Sequence, residues 1–248
     1  MVNHCRELDL KPQIYIHAMG ALSIITIPIN MLALYCIVRK SPKQMDIYKW
    51  YLFTYQSIST AFDWAYTILL LPVLFYPVPM GHTAAWLAEI FSIPTYGGFC
   101  FCASILGCLA AIILNLFGYR LNVIVPRAHA LSLSKLGHAY MSVAVATFCI
   151  ICVAIALIDT TADQADALSW VTREYTCAEP ALSAPRLYIF LLHKMKRVVV
   201  LGAAGGVLII FLCISSVILS FHFLPKNGQL SQKTKVMQRR FLYLCVQV

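Results

Sequence analysis

Charged side chains are scarce in this sequence. Asp, Glu, Lys and Arg make up 12% of its 248 residues, about half of the roughly 25% that is usual in soluble domains. Hydrophobic residues make up 60% of the chain and form several long runs. This composition excludes an ordinary soluble domain and predicts an all-α, polytopic membrane helix bundle with the lipid bilayer as its main solvent.

Acidic residues are the scarcest charged class, with 10 Asp and Glu against 19 Lys and Arg, so that the formal net charge is +9. The basic residues lie beside apolar runs, where they orient membrane spans and contact anionic headgroups. A nucleic-acid module would instead need them on a soluble face. We therefore expect no nucleic-acid partner.

Five apolar runs are long enough to cross a bilayer at about 1.5 Å per residue. The third is too long for one straight crossing, and Pro94 is expected to break or kink it. Small residues in the third and fifth runs are expected to let neighbouring helices approach closely. The five predicted spans are residues 14–38, 50–76, 86–119, 138–158 and 198–224. The small residues are Gly97, Gly98, Ala103, Gly107, Ala111, Gly202 and Gly206.

Charge sets the predicted orientation. Three loops carry twelve Lys and Arg and a single acid, Asp46, which by the positive-inside rule places them in the cytoplasm and the amino-terminal tail outside. The segment from Asp159 to Arg197 holds five of the ten acids and is expected to roof the outer side. Within it, Asp159, Asp163 and Asp166 have helical spacing and are interpreted as a solvated face rather than a calcium site.

Two polar residues inside the spans are the main candidates for chemistry. Asp63 is expected just past the bilayer midplane, where an ionisable residue is functional by default. Asn30 is expected at a different depth, with Ser59 and Thr60 bridging the two. The cluster is interpreted either as a switch that repacks on activation or as a fixed element of helix packing.

Features typical of enzymes and metal sites are missing. No carboxylate pair or nucleophile–base pair stands out, and the histidines lie near the predicted membrane surfaces rather than at the centre. Cys149 and Cys152 form a C-x-x-C inside a span without a second pair at metal-site spacing, so we interpret them as packing residues. We expect no enzymatic activity, no cofactor and no metal.

Cys5 and Cys177, the cysteines of the outer polar segments, are predicted to form a disulfide.

Arg120 closes the third span at its predicted inner end. It is interpreted either as an anchor that reaches the lipid phosphates or as a latch or docking point on the cytoplasmic face.

At the carboxyl end, the apolar residues 241–248 indicate the start of a sixth crossing. They cover only about 12 Å of the roughly 30 Å of hydrocarbon.

The first seventy residues resemble the nematode serpentine chemoreceptors of class h and, almost as closely, class i. The resemblance is carried by Pro28, Asn30, Tyr35, Ile37, Lys40, Pro42, Lys43, Met45, Tyr48–Leu52, Gln56 and Asp63, and more weakly by Pro72, Pro79, Asn122 and residues 230–241. One departure concerns Arg120, which follows Gly118 and Tyr119. The family usually has an acid-Asn-Arg string there, so a lock that depends on the acid is in doubt.

The resemblance implies a seven-helix, G-protein-coupled chemosensory receptor in the plasma membrane, and specifically in a sensory cilium. Helices six and seven would follow residue 248, so the chain alone is expected not to signal. A small-molecule or peptide ligand would bind from outside, and a heterotrimeric G protein would bind inside. By depth, the candidate ligand contacts are Tyr66, Tyr96, Phe99 and Phe101. The G-protein face would comprise Arg120, Arg127, Lys233, Lys235, Arg239 and Arg240. The alternative is a transporter or channel subunit, which the lack of a visible internal repeat disfavours.

Overall fold

The computed structural model describes most of the chain. The described residues are 12–41, 46–75, 78–126, 129, 131–158, 163–175, 182–184, 186–226 and Val236. Within them lie the long helices α1 (Gln13–Lys40), α2 (Asp46–Trp64), α4 (Thr95–Ile124), α5 (Lys135–Ile158) and α7 (Leu192–Lys226), the short helices α3 (Trp86–Ile90) and α6 (Gln164–Glu174), and the strands β1 (Pro72–Leu74), β2 (Met80–Thr83) and β3 (Tyr188–Ile189).

Four of the described helices are long and apolar enough to cross a membrane, namely α1, α4, α5 and α7. The helices α1, α5 and α7 contain the first, fourth and fifth predicted spans, and α4 overlaps the third from Thr95 onward. The second predicted span corresponds to α2, which is not among the four because polar residues such as Gln56 and Asp63 interrupt it. The chain is therefore a helical membrane protein, and the fifth crossing stays a prediction.

The second predicted span is wrong at its far end. After Trp64 the helix continues as one π-helical turn, Ala65–Leu70, and then stops. Leu71 adopts φ of 34°, and its amide donates to the Tyr66 carbonyl at 2.7 Å. Pro72 has no amide proton and disfavours helical backbone at the residue before it. The chain therefore leaves the helix before Pro72 and enters β1 rather than continuing to residue 76.

The predicted break at Pro94 is confirmed. The helix α3 ends at Ile90, and Pro94 is the N-terminal cap of α4. The helix α4 extends to Ile124, five residues beyond the predicted end of the third span, and at about 1.5 Å per residue it is about 45 Å long. It contacts α2, α5 and α7, so this helix is the centre of the bundle.

Two glycines let other elements approach α4 closely. A Cβ atom at Gly98 would lie 2.9 Å from Leu70 Cδ1, and one at Gly107 would lie 2.7 Å from Val153 Cγ2 of α5. Their predicted packing role is confirmed. Gly202 and Gly206 of α7 differ, since a Cβ at either position would meet no described atom within 4 Å. The predicted packing role of that pair is therefore not realised within the described chain.

A small sheet covers one end of the bundle, the end at which α4 begins. We call this end of the bundle the sheet end. The antiparallel order is β1-β2-β3, with Pro72 opposite Thr83 and Met80 opposite Ile189. The sheet and α6 share a buried core of Val73, Phe75, Val78, Met80, Ala167, Val171 and Ile189. The segment from Asp159 to Arg197, which was expected to roof the outer side, supplies α6 and β3. We call the sheet together with α6 the lid.

The predicted solvated face lies on this lid. Asp163 and Asp166 are exposed, and the Asp163 carboxylate accepts a hydrogen bond from the Ala165 amide at 2.9 Å as the N-terminal cap of α6. A capping carboxylate is also stabilised by the helix dipole. Asp159 lies outside the described residues. The prediction of a surface position therefore holds for the two aspartates that are described.

Candidate functional site

Asn30 and Asp63 contact each other directly within the bundle. The Asn30 side-chain amide donates to Asp63 Oδ2 at 2.9 Å, and the Gln56 amide donates to Asn30 Oδ1 at 3.1 Å. All three side chains are half-buried. We call these three residues the amide–carboxylate cluster. It joins α1 to α2 by hydrogen bonds that an apolar environment strengthens.

The predicted bridge by Ser59 and Thr60 is wrong. The Thr60 hydroxyl donates to the Gln56 carbonyl of its own helix at 2.7 Å, and the Asn30–Asp63 bond needs no intermediary. Sequence reasoning did not assign Gln56 to the cluster. The available signal was its spacing, because residues seven apart lie two turns apart on one helix face, as Gln56 and Asp63 do.

A second cluster lies at the other end of the bundle, where α1 ends at Lys40 and α4 ends at Ile124. We call this the basic end. Arg120 Nε donates to Tyr48 Oη at 2.6 Å, and the guanidinium lies 4.2 Å from the centre of the Tyr48 ring. Arg120 is half-buried, whereas Tyr48 is 9% exposed. This geometry combines a charge-assisted hydrogen bond with a cation–π contact on the same side chain.

Further aromatic residues surround this pair. Tyr119 stacks on Tyr48 with ring centres 6.3 Å apart, and it contacts Tyr51 in a tilted arrangement with ring centres 5.1 Å apart. His138 of α5 approaches Tyr119 edge-on at 5.4 Å and lies 3.3 Å from Tyr51 Oη through Nδ1. We call Tyr48, Tyr51, Tyr119, Arg120 and His138 the aromatic cluster. Sequence reasoning identified Arg120 as a candidate site residue, whereas Tyr48 and Tyr51 were named only as carriers of the family resemblance.

The loop after α4 is fixed at the basic end. The Asn122 side chain accepts from the Leu133 amide at 2.8 Å and donates to the Leu133 carbonyl at 3.1 Å. The His129 ring contacts Phe223 of α7 with centres 4.8 Å apart. The loop therefore ties the end of α4 to the start of α5 and to α7.

Several predicted site residues lie outside the described residues. They comprise five residues of the predicted G-protein face, Arg127, Lys233, Lys235, Arg239 and Arg240, the predicted disulfide partners Cys5 and Cys177, and the predicted sixth crossing, residues 241–248. Of the predicted G-protein face, the structure thus places Arg120 alone. The disulfide and the sixth crossing stay predictions.

Two of the four predicted ligand contacts, Tyr96 and Phe99, lie at the sheet end. Tyr96 stacks on Tyr188 with ring centres 4.9 Å apart, and Phe99 meets Phe190 at 5.8 Å. Tyr188 and Phe190 also contact each other at 4.9 Å. The lid thus covers the first turns of α4 with aromatic rings, and any molecule that reaches Tyr96 or Phe99 from the sheet end must pass β3 and its flanks.

The other two predicted contacts lie elsewhere. Tyr66 is in the π-helical turn, stacks on Phe62 with centres 6.1 Å apart, and packs against a core that includes Cys102 of α4. Phe101 is 50% exposed on the flank of α4. Tyr66, Tyr96 and Phe99 are thus half-buried, Tyr66 in a different group of contacts from the other two, whereas Phe101 is exposed.

A polar joint connects the lid to α4. The Thr95 hydroxyl donates to the Arg186 carbonyl at 2.6 Å and lies 3.3 Å from the Thr83 amide, which donates to it. The Arg186 guanidinium in turn donates to the carbonyls of Ala88 and Glu89, two of the last carbonyls of α3. One threonine thus links β2, the start of α4 and the chain that enters β3.

Nothing in the described part of the chain gathers three or more His, Cys, Asp or Glu side chains in an arrangement that could hold a metal ion. Cys149 and Cys152 lie in α5 as free thiols, half-buried and exposed respectively. The described clusters contain amides, one carboxylate, hydroxyls, aromatic rings and one guanidinium. This chemistry suits reversible binding and helix rearrangement.

Comparison with known proteins identifies a family for the chain. No curated protein and no solved structure matches the chain. The family described as the serpentine type 7TM GPCR chemoreceptor Srh matches residues 11–248. That range contains both described clusters and the whole lid. The chain therefore belongs to the Srh family of serpentine 7TM GPCR chemoreceptors.

Proposed function

We propose that this integral membrane protein is a chemosensory receptor that binds a small ligand at the sheet end and presents a G-protein site at the basic end. Its family is a receptor class that is generally not enzymatic. The observation that carries the proposal is the continuity of α4, which has Tyr96 and Phe99 near one end and Arg120 near the other. Tyr96 and Arg120 are 24 residues apart, or about 36 Å along one helix.

The proposed orientation places the sheet end outside the cell and the basic end in the cytoplasm, with five membrane crossings formed by α1, α2, α4, α5 and α7. Support comes from the basic residues at the ends of the spans, such as Arg39 and Lys40 in the last turn of α1. We further propose the plasma membrane of a sensory cilium as the location, and class h rather than class i, in keeping with the Srh match.

The proposed ligand site is formed by Tyr66, Tyr96 and Phe99 beneath the lid. Phe101 is less favourable because half of its surface faces away from the bundle. The rings around Tyr96 and Phe99 are uncharged, and Thr95 supplies a hydroxyl at their edge. This surface favours a small, largely apolar organic molecule, which would displace some of the ring contacts with Tyr188 and Phe190.

The amide–carboxylate cluster is the proposed switch between the two ends. It holds α1 and α2 together through three side chains, and the Thr67 hydroxyl donates to the Asp63 carbonyl at 2.7 Å beside the π-helical turn that carries Tyr66. A ligand that moves Tyr66 would therefore act on the helix turn that contains Asp63. Such a ligand shifts the equilibrium only by its differential affinity for the two packings.

The test is direct ligand binding by the purified chain in lipid nanodiscs. A panel of volatile alcohols, ketones and aromatic compounds is screened by thermal shift, and each hit is repeated on Tyr96→Ala and on the matched exposed-site variant Tyr140→Ala. We expect hits that Tyr96→Ala abolishes and Tyr140→Ala retains. A hit that survives Tyr96→Ala contradicts the proposed site.

Solute flux separates the receptor from the transporter or channel alternative, which no comparison supports. The same compounds and common inorganic ions are tested for uptake into proteoliposomes that contain the chain. Uptake above that of empty liposomes contradicts the receptor. Ligand-evoked nucleotide exchange on added G protein supports it, and also contradicts the expectation that residues 1–248 are insufficient for signalling.

A further inference from the structure

Thr83, the last residue of β2, carries a hydroxyl group that is buried and, within the described chain, unpaired. The residue is 7% exposed, and its Oγ1 atom has no hydrogen-bond partner among the described residues. Its backbone amide, by contrast, donates to Thr95 Oγ1 at 3.3 Å. Native proteins seldom leave a buried hydroxyl unpaired, because the loss of its bonds to water costs free energy. The Thr83 hydroxyl is therefore a candidate binding group rather than a group that stabilises the fold.

The Thr83 side chain points toward α4 and away from the core of the lid. Its neighbour His82 stacks on Phe75, a residue of that core, with ring centres 5.5 Å apart. Successive residues of a strand point to opposite faces of the sheet. On the α4 side, Thr83 Cγ2 lies 4.0 Å from the position that a Cβ atom of Gly98 would take. Thr83 thus lies over a place where α4 has no side chain.

The same glycine brings Thr83 close to the group of contacts around Tyr66. Leu70 Cδ1 lies 2.9 Å from that Cβ position at Gly98, and Leu70 belongs to a buried core against which Tyr66 packs. Both Tyr66 and Leu70 are in the π-helical turn, a type of irregularity that often occurs at functional sites. One unpaired hydroxyl beside an apolar surface is typical of a site for a small ligand with a single polar group.

We propose that Thr83 is the polar anchor of the ligand site, and that the ligand is a small apolar molecule with one hydrogen-bond-accepting oxygen, such as a ketone or an aldehyde. The Thr83 hydroxyl donates to that oxygen, and the apolar part of the ligand lies against Leu70 and Tyr66. This inference rests on the proposed function, in which Tyr66 is a ligand contact. Because the hydroxyl has already lost its water on folding, binding gains the hydrogen bond without a second cost of removing that water.

The experiment compares pairs of probes that differ only in the acceptor. Acetophenone has a carbonyl oxygen where α-methylstyrene has a CH₂ group, and 2-heptanone differs in the same way from 2-methyl-1-heptene. Dissociation constants are measured by thermal-shift titration of the purified chain in nanodiscs. Thr83→Val keeps the shape of the side chain and removes the hydroxyl. We expect it to weaken ketone binding on the order of tenfold, because the carbonyl is then buried without a partner, and to leave hydrocarbon binding within about twofold.

A stability measurement and a rescue variant separate binding from folding. Thr83→Val should leave the unfolding temperature of the ligand-free protein unchanged or raise it, since it removes an unpaired hydroxyl from the interior. Thr95→Val is the comparison, because it removes a hydroxyl with two backbone partners and should lower that temperature. Thr83→Ser keeps a hydroxyl and should bind both ketones within about threefold of the unsubstituted chain.

A spectroscopic readout tests the hydrogen bond itself. The C=O stretch of bound acetophenone, labelled with ¹³C at the carbonyl, is recorded by infrared difference spectroscopy. A donated hydrogen bond weakens the C=O bond, so the stretch should lie at a lower wavenumber in the unsubstituted chain than in Thr83→Val. A residue that only supports the fold would not produce this difference.

Equal weakening of ketone and hydrocarbon binding by Thr83→Val, or an unchanged C=O stretch, would overturn the proposal. So would a fall in unfolding temperature as large as that of Thr95→Val, which would show that the hydroxyl serves the fold through an ordered water. Binding that Tyr96→Ala abolishes and Thr83→Val leaves intact upholds the proposed site and contradicts the anchor. A ketone-specific effect of Thr83→Val that persists in Tyr96→Ala upholds the anchor and contradicts the proposed contact at Tyr96. Lack of binding by all four probes contradicts both.

Discussion

The two ends of α4 are held by different kinds of partner. At the sheet end, the Thr95 hydroxyl bonds to backbone atoms of Arg186 and Thr83. At the basic end, the charged Arg120 bonds to the side chain of Tyr48, in addition to the bonds of Asn122 with backbone atoms of Leu133. A backbone partner moves only with its whole segment, whereas a side-chain partner can change rotamer or separate.

This difference assigns different mechanical roles to the two ends. The sheet end couples the lid firmly to the helix, so that a displacement of β3 is passed to α4. The basic end combines a contact between two side chains, Arg120 and Tyr48, with the backbone bonds of Asn122 to Leu133. In the proposed function, the firm connection between β3 and α4 would lie where the ligand binds.

The largest expected effect tests whether α4 is one rigid body between its two ends. Gly107→Leu forces a side chain into the place where a Cβ would already lie 2.7 Å from Val153 Cγ2. Because helix α5 must move away, we expect a loss of about 3 kcal/mol in the free energy of unfolding. Thermal unfolding in detergent and the yield of monodisperse protein measure this loss.

Gly118→Leu is the matched control for that substitution. A Cβ at Gly118 meets no described atom within 4 Å, so the change should fall within about 0.5 kcal/mol. Equal destabilisation by Gly107→Leu and Gly118→Leu would show that the close approach of α4 and α5 at Gly107 does not limit helix packing. It would also contradict the idea that this contact keeps α4 rigid between its two ends.

The next effect concerns the amide–carboxylate cluster, which lies between the two ends. Asp63→Ala removes the acceptor of the Asn30 amide and should cost about 1–2 kcal/mol of unfolding free energy. A double-mutant cycle with Asn30→Ala isolates the pair, with an expected coupling energy of about 0.6–1.7 kcal/mol. Unfolding in a series of SDS mole fractions provides the measurement.

Additivity of Asn30→Ala and Asp63→Ala would show that the two side chains do not stabilise each other. The conservative variant Asp63→Asn serves as the control, because it keeps the shape and one acceptor oxygen. Its cost should be clearly smaller than that of Asp63→Ala. An equal cost would indicate that the charge of Asp63, rather than its bond to Asn30, is what the protein requires.

A smaller effect is expected at the sheet end. Thr95→Val keeps the shape but deletes the hydroxyl that joins Arg186 to Thr83, at an expected cost of about 1 kcal/mol. Amide hydrogen exchange at β3 should then be roughly fivefold faster. Thr147→Val on the exposed flank of α5 is the control. Unchanged exchange at Tyr188 and Ile189 in Thr95→Val would contradict the firm connection assigned to this end.

The sequence predicted the long helices well and the lid poorly. Continuous apolar runs and Pro94 were enough for α1, α4, α5 and α7, because a spanning helix satisfies its own backbone. The strands have two to four residues, too short to show an alternating pattern. Pro72, Pro77 and Pro79 are typical of a segment that follows the end of a helix, but they give no sign of a sheet.

The sequence indicated which residues belong to the candidate site but not which of them contact each other. Asn30 and Asp63 were identified as polar groups in apolar runs, but counting residues along each helix placed them at different levels. Counting ignores helix tilt and side-chain reach, and the two side chains meet at 2.9 Å. Tyr48 was not identified because its role depends on Arg120, which is 72 residues away in sequence.

The smallest expected effect separates two neighbouring phenylalanines at the sheet end. Phe101 is 50% exposed, so Phe101→Ala should change stability by about 0.5 kcal/mol or less and leave ligand binding nearly unaltered. Phe99 meets Phe190 of the lid at 5.8 Å, and Phe99→Ala should lose about 0.5–1.5 kcal/mol for that ring pair beyond its lost burial. Thermal shift with and without a bound ligand measures both. A larger loss of binding in Phe101→Ala than in Phe99→Ala would place the ligand on the flank of α4 rather than beneath the lid. The lid would then cover no binding site, and its firm connection to α4 would serve stability alone.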